Sequence, residues 1–295
     1  MIRSLVLAGL VLGASPALAQ SLPDLERTAT STVELSNPHD LKLSPDASYL
    51  AVSDVGNNRV VLLDPVTLEL LGSFGTDEQS GTHDIDFDAE GRMYVADTHN
   101  HRIAIYEMNG VEARFEGEIA GLFTKPEGVL VHPDGIVFVA GAGSDNVVAF
   151  RDGEAIAELK GLNSPHDLEL APDGTIWLAD AGNDRLLQLS TDLEIMNELS
   201  GSPYDFNGVR YLDILPNGTI IAADKYTHSV KFIAPDGSLL KVLGDGTAGS
   251  ENGRFRTPEG VESWGELLWL ADSGNNRIVK FQMAFPQPMG GKLEE

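Results

Sequence analysis

Residues Asn37–Asp64 read NPHDLKLSPDASYLAVSDVGNNRVVLLD, and residues Ser164–Leu189 read SPHDLELAPDGTIWLADAGNDRLLQL. Both are the same phrase: a short alternating strand, an Asp- or Gly-bearing turn, an apolar strand ending in Asp, a second turn, then Arg and a third strand. The phrase occurs six times, with second strands ending at Asp54, Asp97, Gly141, Asp180, Asp224 and Asp272. Short strands of period two joined by polar turns predict an all-β chain. A recurrence about every 40 to 49 residues is that of a propeller blade, so six repeats predict a six-bladed β-propeller. A fourth strand follows in most repeats. The sixth lacks one, and Thr32–Ser36 is expected to supply it, so that an N-terminal strand completes the last blade and closes the ring.

The rest of the chain is arranged around this unit. "MIRSLVLAGLVLGASPALAQ" has a basic start, a short apolar run and an A-x-A site, the pattern of a signal peptide over residues 1–19. Residues 20–30 are expected to be a linker, 31–283 the propeller and 284–295 a Pro/Gly-rich tail. An exported chain in the periplasm or secreted follows. The absence of cysteine excludes disulfides and thiol chemistry. Forty-five Asp and Glu against 20 Lys and Arg give a formal net charge of −25, which repels phosphate backbones and argues against a nucleic-acid partner. No later segment is long and apolar enough to insert in a membrane. Small molecules, peptides or a protein remain as partners.

Repetition separates scaffold from site. Asp54, Asp97, Asp180 and Asp272 are expected to accept backbone N–H bonds in the turns after their strands, with Arg59, Arg102, Arg185 and Arg277 paired beside them. The position that varies is the start of each first strand, which opens into the central channel. It reads His39, His83, Glu127, His166, Arg210 and Glu259. In the fifth repeat Asn207 is the competing choice, and the spacing to Gly218 and Asp224 favours Arg210. Asp40, Asp84 and Asp167 follow the histidines, whereas Gly128 and Gly260 follow the glutamates.

Three histidines converging on an axis make a metal site suited to Zn²⁺ or another divalent transition metal, with a free position for water or substrate. A polar, water-filled mouth is the alternative. Glu127 and Glu259 would add oxygen ligands, act as bases, hold a separate Ca²⁺, or balance the charge of Arg210. The fifth repeat replaces the usual turn by Lys225, Tyr226, Thr227 and His228, a cationic and aromatic patch. Arg210 suits a substrate carboxylate, and Tyr226 or Tyr211 suits proton transfer. Tyr204 and Phe206 are placed on the pocket wall, and His99 over the mouth. His101 belongs with the repeat phrase, and His132 with a solvated turn.

"KPEGVLVHPDGIVFVA", "TPEGVESWGELLWLADSGNNRIVKF" and "MYVADTHNHRIAIY" resemble the NHL repeat. The Pro-His-Asp starts resemble those of the peptidyl-α-hydroxyglycine α-amidating lyases, six-bladed NHL-type propellers. That resemblance implies a Zn²⁺ on His39, His83 and His166, Arg210 on a substrate carboxylate, and Tyr226 or Tyr211 as the proton-transfer residue. The expected function is an exported metal-dependent lyase- or hydrolase-like enzyme acting on a small carboxylated or α-hydroxy substrate. One alternative is a calcium-dependent gluconolactonase-like hydrolase using Glu127, Glu259 and Asn207. The other is a non-catalytic periplasmic binding or assembly propeller.

Overall fold

A computed structural model describes residues 24–284. The expected signal peptide, and the expected tail beyond Ala284, lie outside the described residues. Among the described residues there are six four-stranded antiparallel sheets, and five of them run in chain order from first to fourth strand. The first strands are Pro38–Leu43, Thr82–Phe87, Pro126–Val131, Pro165–Leu170, Val209–Ile214 and Val261–Trp264. Each touches the first strand of the blade before and after it, and the sixth touches the first. This is a closed six-bladed propeller.

The closing strand is Asp24–Thr30, not Thr32–Ser36. It pairs antiparallel with Arg277–Ala284, from Asp24 opposite Ala284 to Thr30 opposite Val279. It therefore falls within the stretch expected to be linker. Outer strands face water on most of their surface, so this one carries no apolar run to betray it. Residues 32–36 instead form the connection into the first blade. There Ser36 N–H donates to Asp54 Oδ1 at 2.7 Å, and Arg59 reaches Glu34 O at 2.8 Å.

The apolar core is six seams rather than one centre. Each cluster packs one blade on the next, as in Phe138, Leu168, Leu178 and Leu187 between the third and fourth blades. Two sets of polar contacts repeat around the ring. In four blades the strand-ending Asp accepts a backbone N–H, an Asn side chain and Arg Nε, with every Arg Nε–Asp distance 2.7 Å (Arg59–Asp54, Arg102–Asp97, Arg185–Asp180, Arg277–Asp272). These residues are scaffold.

The second set ties each blade to its successor. The residue ending each second-to-third-strand turn is left-handed: Asn58, His101, Asp145, Asp184, His228 and Asn276 have φ between 52° and 57°. Asn, Asp and His tolerate that region best. Each side chain accepts a backbone N–H from the residue leading into a following first strand. The donors are Gly81, Lys125, Ser164, Gly208, Thr257 and Asn37, at 2.7 to 3.1 Å. His101 and His228 are thereby accounted for as acceptors.

Three residues below the mouth the channel carries Lys42, Asp86, Glu169, Asp213 and Glu262, with Lys42 bonded to Glu169. Burial raises the carboxyls of Asp86 and Asp213 from 3.8 to about 6, and that of Glu262 well above its usual value. Asp40 is likewise raised to about 6, and Asp84 and Asp167 well above their usual value, chiefly by burial. Folded carboxyls with raised pKa bind more protons than unfolded ones, so their contribution to stability is lost as pH rises from about 4 through about 6 and beyond. His39 and His83 act in the opposite sense, since burial lowers them, but the carboxyls outnumber them. The thermal midpoint is expected to be higher at about pH 5 than at about pH 7.5. A midpoint that climbs across that interval in a differential scan contradicts this reading of the channel.

Candidate functional site at the channel mouth

A backbone irregularity builds the mouth. Five of the six first strands carry one extra residue against their second strand. The register slips between Pro38 and Leu41, Thr82 and Ile85, Pro126 and Gly128, Pro165 and Leu168, and Val209 and Leu212. A β-bulge re-aims side chains. In regular strand the His–Asp neighbours would point to opposite faces. Here both turn toward the channel side and are buried.

The bulge also explains why Asp follows His while Gly follows Glu. Asp40 Oδ2 accepts Ile85 N–H at 3.2 Å, Asp84 Oδ2 accepts Val129 N–H at 2.6 Å, and Asp167 Oδ2 accepts Leu212 N–H at 2.7 Å. All three tie a bulge to the next blade and leave the imidazoles alone. Where Glu leads, the next blade's backbone lies closer. A Cβ on Gly128 would sit 1.9 Å from His166 O, and one on Gly260 2.3 Å from His39 O. Only glycine fits.

The fifth blade presents Arg210. Val209 pairs with Asp224 as Pro38 pairs with Asp54, which puts Arg210 in register with His39. Asn207 lies before the strand, its N–H on Asp224 Oδ1 at 2.9 Å.

The three histidines gather but do not share one point. His39 and His83 meet edge to face with ring centroids 4.6 Å apart. His83 Nδ1 lies 2.9 Å from Gly81 O and 2.8 Å from Thr98 Oγ1, whose proton goes to Pro126 O. His166 Nδ1 lies 2.7 Å from Ser164 O. Acceptors on both place the proton on Nδ1 and leave Nε2 as a lone pair. Both Nε2 atoms face Glu127 Oε2, at 3.9 Å from His83 and 2.5 Å from His166. The His166 approach makes no directed hydrogen bond. A lone pair against a carboxylate oxygen at that distance requires a proton or a cation between them. His39 is turned elsewhere: its Nε2 lies 2.8 Å from Asn37 Nδ2 and 3.3 Å from Glu259 Oε1. Among the described residues, no group of three or more His, Asp or Glu side chains stands in metal-ligand arrangement.

Two cations serve the two glutamates. Arg210 Nη1 is 3.6 Å from Glu127 Oε2, and Arg210 Nε is buried without a partner. Lys225 Nζ is 2.7 Å from Glu259 Oε1, a charge contact rather than an aligned hydrogen bond. Burial opposes the charge of Glu127, but His166, then His83 and Arg210, hold its carboxyl well below the usual range. Burial lowers His39 well below the usual imidazole value, and His83 beside it adds to this.

The two tyrosines sit in different settings. Tyr211 is fully buried under the mouth, its ring 6.3 Å from those of both His39 and His166. Its hydroxyl faces backbone carbonyls, 3.3 Å from Glu127 O and 3.5 Å from His83 O, and burial pushes its pKa well up. It is a platform under the imidazoles. Tyr226 is 52% exposed at the rim, with Lys225 Nζ 5.7 Å from its ring centre. Tyr204 and Phe206 are not pocket wall. They stack 5.4 Å apart in the apolar seam between the fourth and fifth blades. His99 lies against Gly81, and His132 pairs with Asp134 at 2.6 Å on the opposite face. Asn37 and Thr98 orient two of the histidines and carried no signal beyond their place in the phrase.

Residues 83–106 match the family model for the NHL repeat. No curated protein matches the chain. Solved structures with the same architecture include a streptogramin B lyase, at a TM-score of 0.64 and 14% identity over 90% of this chain and 88% of that one. Virginiamycin B lyase from Staphylococcus aureus superposes with a TM-score of 0.63 and 12% identity, over 88% of this chain and 99% of its own. A catalytically inactive variant of that lyase with quinupristin gives 0.63 and 14%, over 90% and 89%. At these identities the likeness is one of fold.

Two substitutions probe the mouth. Gly128→Ala drives a methyl into His166 O and is expected to destabilise the fold by at least about 2 kcal/mol in denaturant melts; a loss under about 0.5 kcal/mol contradicts the packing. Glu127→Gln removes the negative charge that partly offsets burial at His83. The His83 imidazole is then expected to titrate lower by NMR, and an upward shift contradicts the geometry.

Proposed function

We propose that this chain is an exported lyase or hydrolase acting at the channel mouth on a small carboxylated or α-hydroxy substrate. The observation that carries the reading is the meeting of the His83 and His166 Nε2 lone pairs on one oxygen of Glu127, with Arg210 beside it. Paired bases and a buried cation at the end of a channel are the usual furniture of proton abstraction next to an anionic group. The lyases among the propellers of like fold are consistent with this reading.

The donor types of His83, His166 and Glu127 suit a divalent transition metal, Zn²⁺ first, and the three side chains would draw together to hold one, since they do not stand in metal-ligand arrangement as placed. Both imidazoles give their other N–H to a carbonyl, as metal-bound histidines commonly do. Such an ion supplies Lewis acidity to a substrate oxygen. His39 would join it only by turning away from Asn37 and Glu259.

The chain's own residues do the remaining work. Arg210, with its unpartnered Nε, receives a substrate carboxylate. The gap between His166 and Glu127 takes either the ion or, without it, a proton that exchanges with the substrate carbon or leaving oxygen. Lys225 fixes Glu259, which orients His39 at the other side of the mouth. Tyr211 supports the imidazoles from below, and Tyr226 lines the rim where a substrate enters. The calcium-dependent gluconolactonase-like reading is less favoured, because Arg210 and not Asn207 holds the mouth position.

Elemental analysis of the purified protein separates the readings. The expected result is about one transition-metal ion per chain, lost in the His83→Ala/His166→Ala variant and kept in His39→Ala. Calcium alone, or equal transition metal in wild type and the double variant, contradicts the proposed ligands.

A further inference from the structure

The face opposite the mouth is closed unequally from seam to seam. Between the last and first blades Trp269 is fully buried, and its Nε1–H donates to Pro65 O at 2.9 Å. Lys280, its cross-strand partner, donates to Val66 O. An indole and an ammonium thus bridge to the outer turn of the neighbouring blade.

At the seam between the second and third blades the equivalent cross-strand pair is Tyr94 and Ile105, and the equivalent turn is Asp152–Gly153. Among the described residues no side-chain hydrogen bond or ion pair spans the distance from this pair to the turn. The Tyr94 hydroxyl faces Asp88 at 3.4 Å, and Ile105 has no donor. An open cleft of about 780 Å³ is lined by these four residues, a size in the range of ligand sites. Phe87, Ile119 and Val137 give it an apolar floor, and Glu90, Glu118 and Asp134 an acidic rim. The two basic groups in the lining are committed, Arg92 Nε to Asp88 and His132 Nδ1 to Asp134, each at 2.6 Å; Glu118 and Asp134 are paired in turn with Arg102 and Arg151, so Glu90 and Asp152 are the lining acids outside these ion pairs.

We propose that this cleft binds a basic segment of a partner polypeptide. Its ammonium or guanidinium would sit against the Asp152–Gly153 turn, as Lys280 sits against Val66, and its apolar body would cover Tyr94 and Ile105. The chain's own last-to-first seam is the precedent for that chemistry at an equivalent groove. Glu90 and Asp152, which lie outside the ion pairs, select the same charge, and the volume exceeds what one side chain fills.

Calorimetric titration with acetyl-lysyl-phenylalanyl-lysinamide tests this in the intact protein. Binding is expected, with its glutamyl counterpart inert. Ile105→Lys supplies the missing ammonium internally and is expected to weaken the peptide by at least about tenfold. Asp152→Lys reaches the same end by reversing the charge of the turn. Leu70→Lys, an equal charge change from Ile105→Lys on an exposed outer strand of the first blade, is expected to leave affinity within roughly twofold. Absence of binding, equal binding of the acidic peptide, or cleft variants no weaker than Leu70→Lys overturns the proposal.

Discussion

The structure depends on a hydrogen bond made six times: a left-handed Asn, Asp or His side chain accepting the backbone N–H that leads into a following first strand. Apolar seams hold blades face to face but permit sliding, because dispersion and burial are not directional. The side-chain acceptor is directional. It fixes where each first strand begins, and so fixes the height of the residue that follows. A ring of six such contacts puts His39, His83, Glu127, His166, Arg210 and Glu259 at one level around the axis.

Above that constraint the bulge does the chemistry's positioning. One extra residue in five of the six first strands frees the leading side chain from the sheet and lets the next residue tie the distortion to the neighbouring blade. Asp40, Asp84 and Asp167 do so by accepting amides, while Gly128 and Gly260 do so by leaving room for a carbonyl. The scaffold is therefore indifferent to which side chain leads. Histidine, glutamate and arginine occupy equivalent backbone sites, and the mouth acquires an asymmetric set of acids and bases on a near-symmetric frame.

The fold was legible because its signals are periodic: six apolar strands ending at equivalent positions, and an Asp–Arg pair whose partners turn out to be the same in four blades. The closing strand was placed late because Asp24–Thr30 lies in solvent and lacks an apolar pattern, while Leu35 in the following connection is buried and looked like strand. For the site, residue identity was legible and orientation was not. His39 and His166 head the same phrase, yet Asn37 holds one ring toward Glu259 while Ser164 O leaves the other facing Glu127. The different settings of Tyr211 and Tyr226 were likewise not legible. Tyr211 is sealed under the imidazoles and Tyr226 stands in water, a difference of strand against turn that neighbouring letters do not show.

The proposal at the centre of the account is that a metal would sit on His83 and His166 with Glu127, rather than on all three histidines. Anomalous diffraction at the zinc edge from crystals of the metal-loaded protein tests it most directly. The account predicts one peak within bonding distance of both the His83 and His166 Nε2 atoms and beside Glu127. A peak on His39 with Glu259, or none at the mouth of fully loaded protein, would contradict it.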